Sequence, residues 1–142
     1  MADPTIIEAC IGAIWHRDQV LLLRRRPDDR SFPGSWCFPG GRVDPHPDGG
    51  SEPPDVTVLR EIQEETGIEA RILRAVGAID SPWPARGRVY RVHGFILEAS
   101  VGRVRLSEEH TDARWITAAG EAPTPLAGVA TGWLLGHLFP GG

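Results

Sequence analysis

The segment from Arg60 to Ile68 constrains the fold of this chain most strongly, because it predicts a short helix with three carboxylates on one side. At about 100° per residue, Glu61, Glu64 and Glu65 fall within about 100° of one another, and the apolar residues occupy the neighbouring face. Gly67 suits the position after the last helical residue, where a left-handed conformation is cheap for glycine. The segment therefore predicts a helix with one acidic face and one core face.

The acidic face has two interpretations. Acidic helix faces are usually solvated, and a like-charge pair at i,i+4 costs only about 0.2–0.5 kcal/mol. Arg60 lies four residues before Glu64 and offsets part of that repulsion. The other interpretation is a site for a hard cation, since Mg²⁺ takes oxygen ligands from carboxylates and keeps several waters. The helix alone leaves both interpretations open.

A short apolar segment precedes the helix and favours the cation site. Residues 34–41 end in Pro39-Gly40-Gly41, which we predict to form a turn, and Arg42-Val43 and a loop then lead into the helix. The order predicts a strand–loop–helix unit. Because glycine has no side chain, a backbone carbonyl at Gly40 or Gly41 can approach a metal or phosphate closely.

These residues resemble the signature of the Nudix hydrolase family: Gly, five residues, Glu, seven residues, then Arg-Glu-aliphatic-any-Glu-Glu-any-Gly-aliphatic. Glu52 is followed by seven residues and then by Arg60, and every fixed position from Arg60 to Ile68 matches. Ten residues separate Gly41 from Glu52 instead of five. We interpret the polar, Pro/Gly-rich run 44–50 as a five-residue loop insertion that leaves the helix intact. Other segments also resemble sequences that usually accompany the signature: residues 20–25, Trp36, and Glu108-Glu109-His110 before Trp115.

The resemblance implies a set of metal ligands. Glu61 and Glu65 match the ligand positions, Glu64 lies nearby, and Gly41 supplies a backbone carbonyl. The implied cofactor is Mg²⁺, for which Mn²⁺ could substitute. The resemblance also implies that Glu52 pairs with Arg60 and orients the helix against its loop.

A further glutamate from a later loop joins the metals or acts as base in such enzymes. Glu109 is our candidate for this glutamate, and Glu108 is the second choice. The alternative is that Glu109 is an ordinary solvated loop carboxylate. The general base stays open among Glu61, Glu64 and Glu109, since geometry must decide before pKa.

Arginines and one tryptophan are the candidates for substrate contact. Arg24 and Arg25 lead a group that includes Arg26 and Arg30, but side chains alternate along a strand, so we expect a single phosphate contact. Trp83 lies in a Pro/Gly-rich loop that either covers a nucleobase or packs. The remaining aromatic and histidine candidates are assigned to packing or to ordinary hydrogen bonding: Trp36, Trp115, Trp133, His46, His93 and His110.

Composition limits the classes of partner. The 142 residues with 41% hydrophobic content predict a single domain over 1–142. A protein that binds long nucleic acid is expected to carry many positive charges, whereas this chain has a net charge of −4. Cys10 and Cys37 predict free thiols in a reducing cytoplasm, and no apolar run reaches about 18 residues, so we expect neither secretion nor membrane insertion. A homodimer is the commonest assembly for such proteins.

Hydrophobic periodicity predicts the elements. Strands are expected at about 5–16, 19–25, 36–38, 68–79 and 88–98, with a shorter one at 103–106. One helix is expected from Ser51, as N-cap, to Thr66, and a second over 124–138. The second helix carries a stripe expected to face the core: Leu126, Val129, Ala130, Trp133, Leu134, His137 and Leu138. The predicted architecture, which the resemblance also implies, is α/β, a three-layer α/β/α sandwich with a mixed sheet.

The predicted activity is Mg²⁺-dependent hydrolysis of a phosphoanhydride bond in a nucleoside diphosphate linked to another moiety. We favour a nucleoside triphosphate, either a dNTP or an oxidised dNTP, as the substrate. The alternatives are a non-catalytic nucleotide-sensing module on the same fold, a hydrolase of ADP-ribose or dinucleoside polyphosphates, and a diphosphate-assisted isomerase. The loops that contact base and sugar carry no transferable code, so the sequence leaves the nucleotide open.

Overall fold

A mixed β-sheet forms the centre of the fold. The computed structural model describes residues 5–44, 49–83 and 87–140, with Trp83 described for its backbone alone. The strands within these ranges are β1 (Thr5–His16), β2 (Gln19–Arg25), β3 (Trp36–Cys37), β4 (Gly40–Arg42), β5 (Arg71–Trp83), β6 (Arg88–Glu98) and β7 (His110–Ile116). The helices are α1 (Pro54–Thr66), a 3-10 turn at Ala119–Glu121 and α2 (Gly128–Leu138).

The strands run in the order β3-β2-β1-β6-β5, with β4 also paired to β1 and β7 to β2. β1 pairs with β6 in parallel from Thr5↔Arg88 to Trp15↔Glu98, and the other strand pairs are antiparallel. The sheet is therefore mixed, as expected. Pairing with β1 brings β4 beside the centre of the sheet, under α1.

Each face of the sheet carries its own hydrophobic core. Along β2, Leu21 and Leu23 face α1, whereas Val20 and Leu22 face α2, as the two-residue period of a strand requires. The first core contains Cys10, Ile14, Leu21, Leu23, Val58, Ile62, Ile68, Phe95 and Leu97. The second contains Ala13, Val20, Leu22, Trp36, Phe38, Ile116, Leu134 and Leu135. One helix on each face confirms the three-layer α/β/α sandwich.

Helix α1 begins later than expected and ends where expected. Its N-cap is Pro53, which makes no side-chain cap, so the prediction of Ser51 as N-cap is wrong. A residue that precedes proline is pushed out of the helical region, and the Pro53-Pro54 pair therefore delays the first helical turn. Gly67 ends the helix in the left-handed region at φ 73°, and its N–H donates to the Gln63 carbonyl at 2.9 Å.

Three other segments differ from expectation. Residues 103–106 form no strand, and the unpredicted β7 pairs with β2 instead. Residues 40–42 form strand β4 where we predicted a turn. Helix α2 starts at Gly128 because residues 125–127 hydrogen-bond to the β3 edge through the Trp36 backbone.

The face of α2 also differs in part from the predicted stripe. Ala130 and Leu134 are buried as expected, but Val129 is 54% exposed and His137 is exposed. Leu135 and Thr131 are buried in their place. The buried stripe therefore lies about one residue later along the chain than predicted. In the part of the chain that the structure describes, neither helix has the length and apolarity needed to cross a bilayer.

Replacing Gly67 by alanine should destabilise the protein by about 1–2 kcal/mol, because alanine resists a positive φ. The space around Gly67 is open enough for a methyl group, since the atom nearest to an added Cβ would lie 3.7 Å away, so the cost comes from backbone conformation. Urea unfolding measures the change. The matched control, Gly132→Ala in the interior of α2, should stabilise by about 0.5–1 kcal/mol, and equal effects of the two variants would contradict this explanation.

Candidate active site

Glu65 is the most deeply placed carboxylate of α1. It lies one residue before the end of the helix and is 4% exposed, and its Oε1 accepts a hydrogen bond from the Gly40 N–H at 2.9 Å. The face of α1 that packs on β4 thus delivers a carboxylate into the structure. A buried carboxylate requires hydrogen bonds and an opposite charge to stay ionised.

The main influences on the Glu65 carboxyl are burial, one backbone donor and two other carboxyl groups, so they include no opposite charge. Burial, and a hydrogen bond that the protonated carboxyl makes with Glu109, raise the pKa of Glu65 to about 10, although the Gly40 N–H opposes the shift. Burial also raises the pKa of Glu61, with Arg60 opposing it and Glu64 and Glu109 adding to it. Carboxylates held this close favour either a shared proton or a cation.

Two glycines of β4 let the strand pass close to these carboxylates. A Cβ on Gly41 would lie 2.6 Å from the Glu61 carboxyl carbon, so Glu61 packs directly on that glycine. A Cβ on Gly40 would lie 2.0 Å from the Cys10 carbonyl oxygen, on the other side. The Gly41 carbonyl accepts a hydrogen bond from the Cys10 thiol at 3.6 Å, and its service as a metal ligand stays a prediction.

The end of α1 also positions Glu109. The last carbonyls of a helix have no partner inside the helix. Here Thr66 accepts from the Arg105 N–H at 2.8 Å and Glu65 from the Ser107 N–H at 3.2 Å. Residues 103–107, which we expected to form a strand in part, therefore bind the helix terminus. Two residues later the chain places Glu109 beside the Glu65 carboxyl.

Arg60 connects the helix to the loop that precedes it. Its guanidinium donates to both carboxylate oxygens of Glu52, from Nε at 3.1 Å and from Nη2 at 2.9 Å. It also donates to Asp44, Glu61 and Glu64 at 3.1–3.3 Å. These carboxylates, with Glu52 first, raise the pKa of Arg60, so the arginine stays charged.

The insertion leaves this pairing in place. The Glu52 N–H donates to the Asp44 carbonyl at 2.9 Å, which brings the two ends of the inserted run together. Residues 45–48, including His46, lie outside the described part of the chain. Glu52 therefore reaches Arg60 as the resemblance implies, although the spacing from Gly41 is longer.

Two adjoining cavities meet at β4. The acidic cavity, of about 970 Å³, lies over the carboxylates, and the apolar cavity, of about 420 Å³, lies over β6 and the start of α2. Both are lined by a shared set of residues: Arg25, Arg30, Gly40, Gly41 and Arg42. The acidic cavity adds Glu61, Glu65, Glu108, Glu109 and His110. The apolar cavity adds Phe32, Cys37, Phe38, Ser81, Pro82 and Tyr90.

Two of the predicted site residues lie away from the described cavity linings, and the side chain of a third is not described. Glu64 is 57% exposed, contacts Arg60, and is absent from the described lining of the acidic cavity. Arg24 lies outside the described lining of both cavities and contacts Gly34, Asp112 and the Trp36 ring. Trp83 is the last residue of strand β5, so the expectation that it lies in a loop is wrong. Its side chain is outside the described residues, so its stacking role is untested.

Arg25, unlike Arg24, lies at the described walls of the cavities. It lines both cavities, and its guanidinium donates to both oxygens of Asp29, at 2.9 and 3.2 Å. Burial acts to lower the pKa of Arg25, but Asp29 outweighs it and raises that pKa. Sequence reasoning missed Asp29, because the pair joins a strand to an irregular loop and has no periodic signal.

Sequence reasoning also missed Arg42 and His110 as lining residues. Each lies next to a predicted site residue, Gly41 or Glu109, and this adjacency was the available signal. His110 is 8% exposed, and burial, followed by the nearby Arg25 charge, lowers its pKa. Its imidazole is therefore neutral at pH 7.

The comparisons with known proteins agree with this geometry. The family described as NUDIX domain matches residues 8–132. The chain belongs to the Nudix hydrolase family. The family predicted from the signature is thereby confirmed, and the protein is an enzyme of the pyrophosphohydrolase type that acts on nucleoside diphosphate derivatives.

Two relatives and one solved structure give the extent of the similarity. The Nudix chain is 30% identical to the CTP pyrophosphohydrolase of Escherichia coli (strain K12) over 117 residues, 82% of this chain and 81% of the relative. It is 30% identical to the ADP-ribose pyrophosphatase of Methanocaldococcus jannaschii over 105 residues, 73% of this chain but 57% of that relative's length. The structure of MutT NUDIX hydrolase from Burkholderia pseudomallei superposes with a TM-score of 0.74 at 29% identity, covering 92% and 96% of the two chains.

Nudix hydrolases generally use divalent metals, and the residues of this site fit such an ion. Glu61, Glu65 and Glu109 line one cavity, and the Glu109 carboxylate raises the pKa of both Glu61 and Glu65, so a cation there would relieve the repulsion. Their oxygens are the donors that hard divalent cations prefer. A divalent ion bound here would take the place of the proton that burial favours on Glu65.

Gly41→Ala should separate activity from stability. The new methyl group meets the end of the flexible Glu61 side chain and should displace its carboxylate, so kcat/KM should fall by about 100-fold with little change in Tm. Gly40→Ala, the neighbouring control, meets the Cys10 backbone instead and should lower stability by about 1–3 kcal/mol. Steady-state kinetics and thermal unfolding distinguish the two; an active Gly41→Ala variant would contradict the packing of Glu61 on Gly41.

Removal of metal should make stability fall with rising pH through Glu65. Its pKa in the folded protein is about 10 against an ordinary value of 4.5, so the folded state holds a proton that the unfolded chain loses. This stabilisation is complete below about pH 4.5 and is lost as the pH rises through about 10. In EDTA, urea unfolding between pH 5 and 9 should show a steeper decline for the native sequence than for Glu65→Gln. Parallel profiles would refute the assignment to Glu65.

Proposed function

We propose that this Nudix hydrolase cleaves a phosphoanhydride bond of a nucleoside triphosphate, a dNTP or an oxidised dNTP, with Mg²⁺ as cofactor and Mn²⁺ as a substitute. The observation that carries the proposal is the junction of the two cavities at Gly40–Arg42. A triphosphate has one charged end and one apolar end, and the two cavities offer an acidic metal-binding environment and an apolar environment side by side. Their shared wall carries the arginines that face the phosphates.

Each part of the site has a separate task in this proposal. Glu61, Glu65 and Glu109 hold the cation, and Arg60 with Glu52 fixes the helix that carries the first two. When bound, a divalent ion neutralises phosphate charge and lowers the pKa of a bound water. Arg25, paired with Asp29, contacts a phosphate oxygen at the shared wall. Glu64, at the helix surface, remains a second candidate for the base.

Glu109 is the favoured general base as well as a cation ligand, with one carboxylate oxygen for each role. It is exposed, lies on a loop docked to the helix end, and lines the acidic cavity beside Glu65. An exposed carboxylate on a docked loop can accept a proton from water while the buried Glu65 stays in place. Glu108 lines the same cavity and is the fallback.

The apolar cavity is the proposed nucleoside subsite. Its volume of about 420 Å³ falls within the range of about 300–1,000 Å³ typical of small-molecule sites. Phe32, Phe38 and Tyr90 supply apolar and aromatic surface there, and Ser81-Pro82, which precede Trp83 in the chain, also line it. Stacking of Trp83 on the base is part of the proposal.

The E. coli relative is named for CTP, which supports a nucleoside triphosphate. ADP-ribose is the second candidate, because the M. jannaschii relative is named for its hydrolysis, although the chain spans just over half of that protein. Dinucleoside polyphosphates have the same phosphate chemistry. A homodimer is proposed as the assembly, and light scattering after size exclusion measures it.

A nucleotide panel in ¹⁸O water tests the function. Mass spectrometry should find Mg²⁺-dependent release of phosphate or pyrophosphate from at least one nucleoside triphosphate, with ¹⁸O in one product. Glu65→Gln should lower kcat at least about 100-fold, since the cation contributes several kcal/mol of charge stabilisation. Glu69→Gln, an exposed control one turn beyond the helix end, should retain activity.

Other outcomes of the panel identify the alternatives. Turnover of ADP-ribose alone would select the second candidate. Binding without turnover at any metal concentration would indicate a nucleotide-sensing module, and product that keeps its diphosphate intact would indicate an isomerase. Either of the last two results would overturn the proposed hydrolysis.

A further inference from the structure

His110 presents a buried ring nitrogen without a partner at the edge of the carboxylate cluster. It is the first residue of β7 and is 8% exposed. Its Nε2 lies 3.8 Å from the Cys37 sulfur, while Nδ1 is buried and meets no hydrogen-bond partner among the described residues. An unsatisfied buried polar atom costs about 1–3 kcal/mol, so this nitrogen calls for an explanation.

The ring lies against the proposed metal ligands. One ligand atom each from Glu65, Glu109 and His110 lies within 4.8 Å of the other two. Ligand bonds of about 2.0–2.2 Å place two donors of one ion at most about 4.4 Å apart. Three donors spaced evenly around one ion lie about 3.5–3.8 Å apart, so the widest pair needs to approach by up to about 1 Å for the three to share an ion.

The surroundings fix the ring in a form suited to ligation. The Cys37 sulfur lies beside Nε2 at 3.8 Å, so Nε2 has a neighbour and Nδ1 is the nitrogen that is left for an ion. Metal-ligating histidines typically use one nitrogen for the ion and hold the other by a second group. Cys37 and Arg25, which contacts that sulfur at 3.9 Å, form the second group here.

We propose that Nδ1 of His110 is an additional metal ligand beside Glu65 and Glu109. A donor set of two carboxylates and one imidazole favours a first-row transition ion such as Mn²⁺, Co²⁺ or Zn²⁺ over Mg²⁺, because imidazole is a poorer ligand for the harder ion. This position then differs in metal preference from one formed by carboxylates alone. The inference rests on the proposed metal site, but whether an ion held by His110 takes part in turnover is a separate question.

Pulsed electron paramagnetic resonance on the metal-free full-length protein loaded with Mn²⁺ tests the ligand directly. A directly bound imidazole gives a ¹⁴N coupling to the Mn²⁺ electron spin. The coupling should appear in the native protein, disappear in His110→Leu, and persist in His93→Gln. His93 is the matched control, because it lies in β6 beside Glu8 at 3.0 Å and outside both cavities as described.

Calorimetric titration with the metals alone gives the second readout. In His110→Leu the Kd for Mn²⁺ should rise about 10-fold or more, while the Kd for Mg²⁺ should change by less than about 3-fold. His110→Gln serves as the second variant, because its polar amide matches the Cys37 contact better than leucine does. Circular dichroism and cooperative melting establish that each variant is folded. Loss of Mn²⁺ affinity in His110→Gln as well supports the ligand.

Three results would overturn the inference. These are no ¹⁴N coupling in the native protein, a coupling that survives in both His110 variants, or one that disappears in His93→Gln. The test does not measure turnover, so it fails separately from the proposed function. Nucleotide hydrolysis without nitrogen coupling would reject His110 alone, and nitrogen coupling without hydrolysis would reject the activity alone.

Discussion

The burial of the Glu65 carboxyl between α1 and β4 is the constraint on which the site depends. The side chain is 4% exposed and has one backbone donor, the Gly40 N–H at 2.9 Å. An acidic group in this position is unfavourable unless a proton or a cation accompanies it. A proton or a cation is therefore required at the end of the helix, beside Glu61 and Glu109.

The elements around this carboxyl are fixed by backbone groups as much as by side chains. The unpaired carbonyls at the end of α1 bind residues 105 and 107, and this places Glu109. At the other side, two successive glycines allow β4 to lie against the helix, one facing the Glu61 carboxyl and the other the Cys10 backbone. Backbone contacts between the core layers and the docked loop thus position the carboxylates.

Arg60 has a different function from the carboxylates it contacts. It holds Glu52 with two hydrogen bonds and reaches Asp44 across the inserted loop. A planar guanidinium suits this multiple contact better than an ammonium group, because its donors are fixed in direction. The arrangement explains how the chain tolerates five additional residues: the loop closes at Asp44 and Glu52, and the helix is unaffected.

The sequence by itself determined the family, the acidic face of α1, the left-handed end at Gly67 and the sandwich architecture, because each depends on residue spacing along one element. The Glu52–Arg60 pair was also predictable, from the signature rather than from spacing alone. The tertiary structure alone decided what lies between elements. Arg25 and not Arg24 reaches the cavities, Glu64 faces solvent, and β4 replaces a turn. A ring nitrogen of His110, whose Nδ1 has no partner among the described residues, lies close to Glu65 and Glu109 where three distant segments meet. Local pattern specifies which face of an element is buried, but the neighbours on that face come from the long-range pairing of strands and the docking of loops.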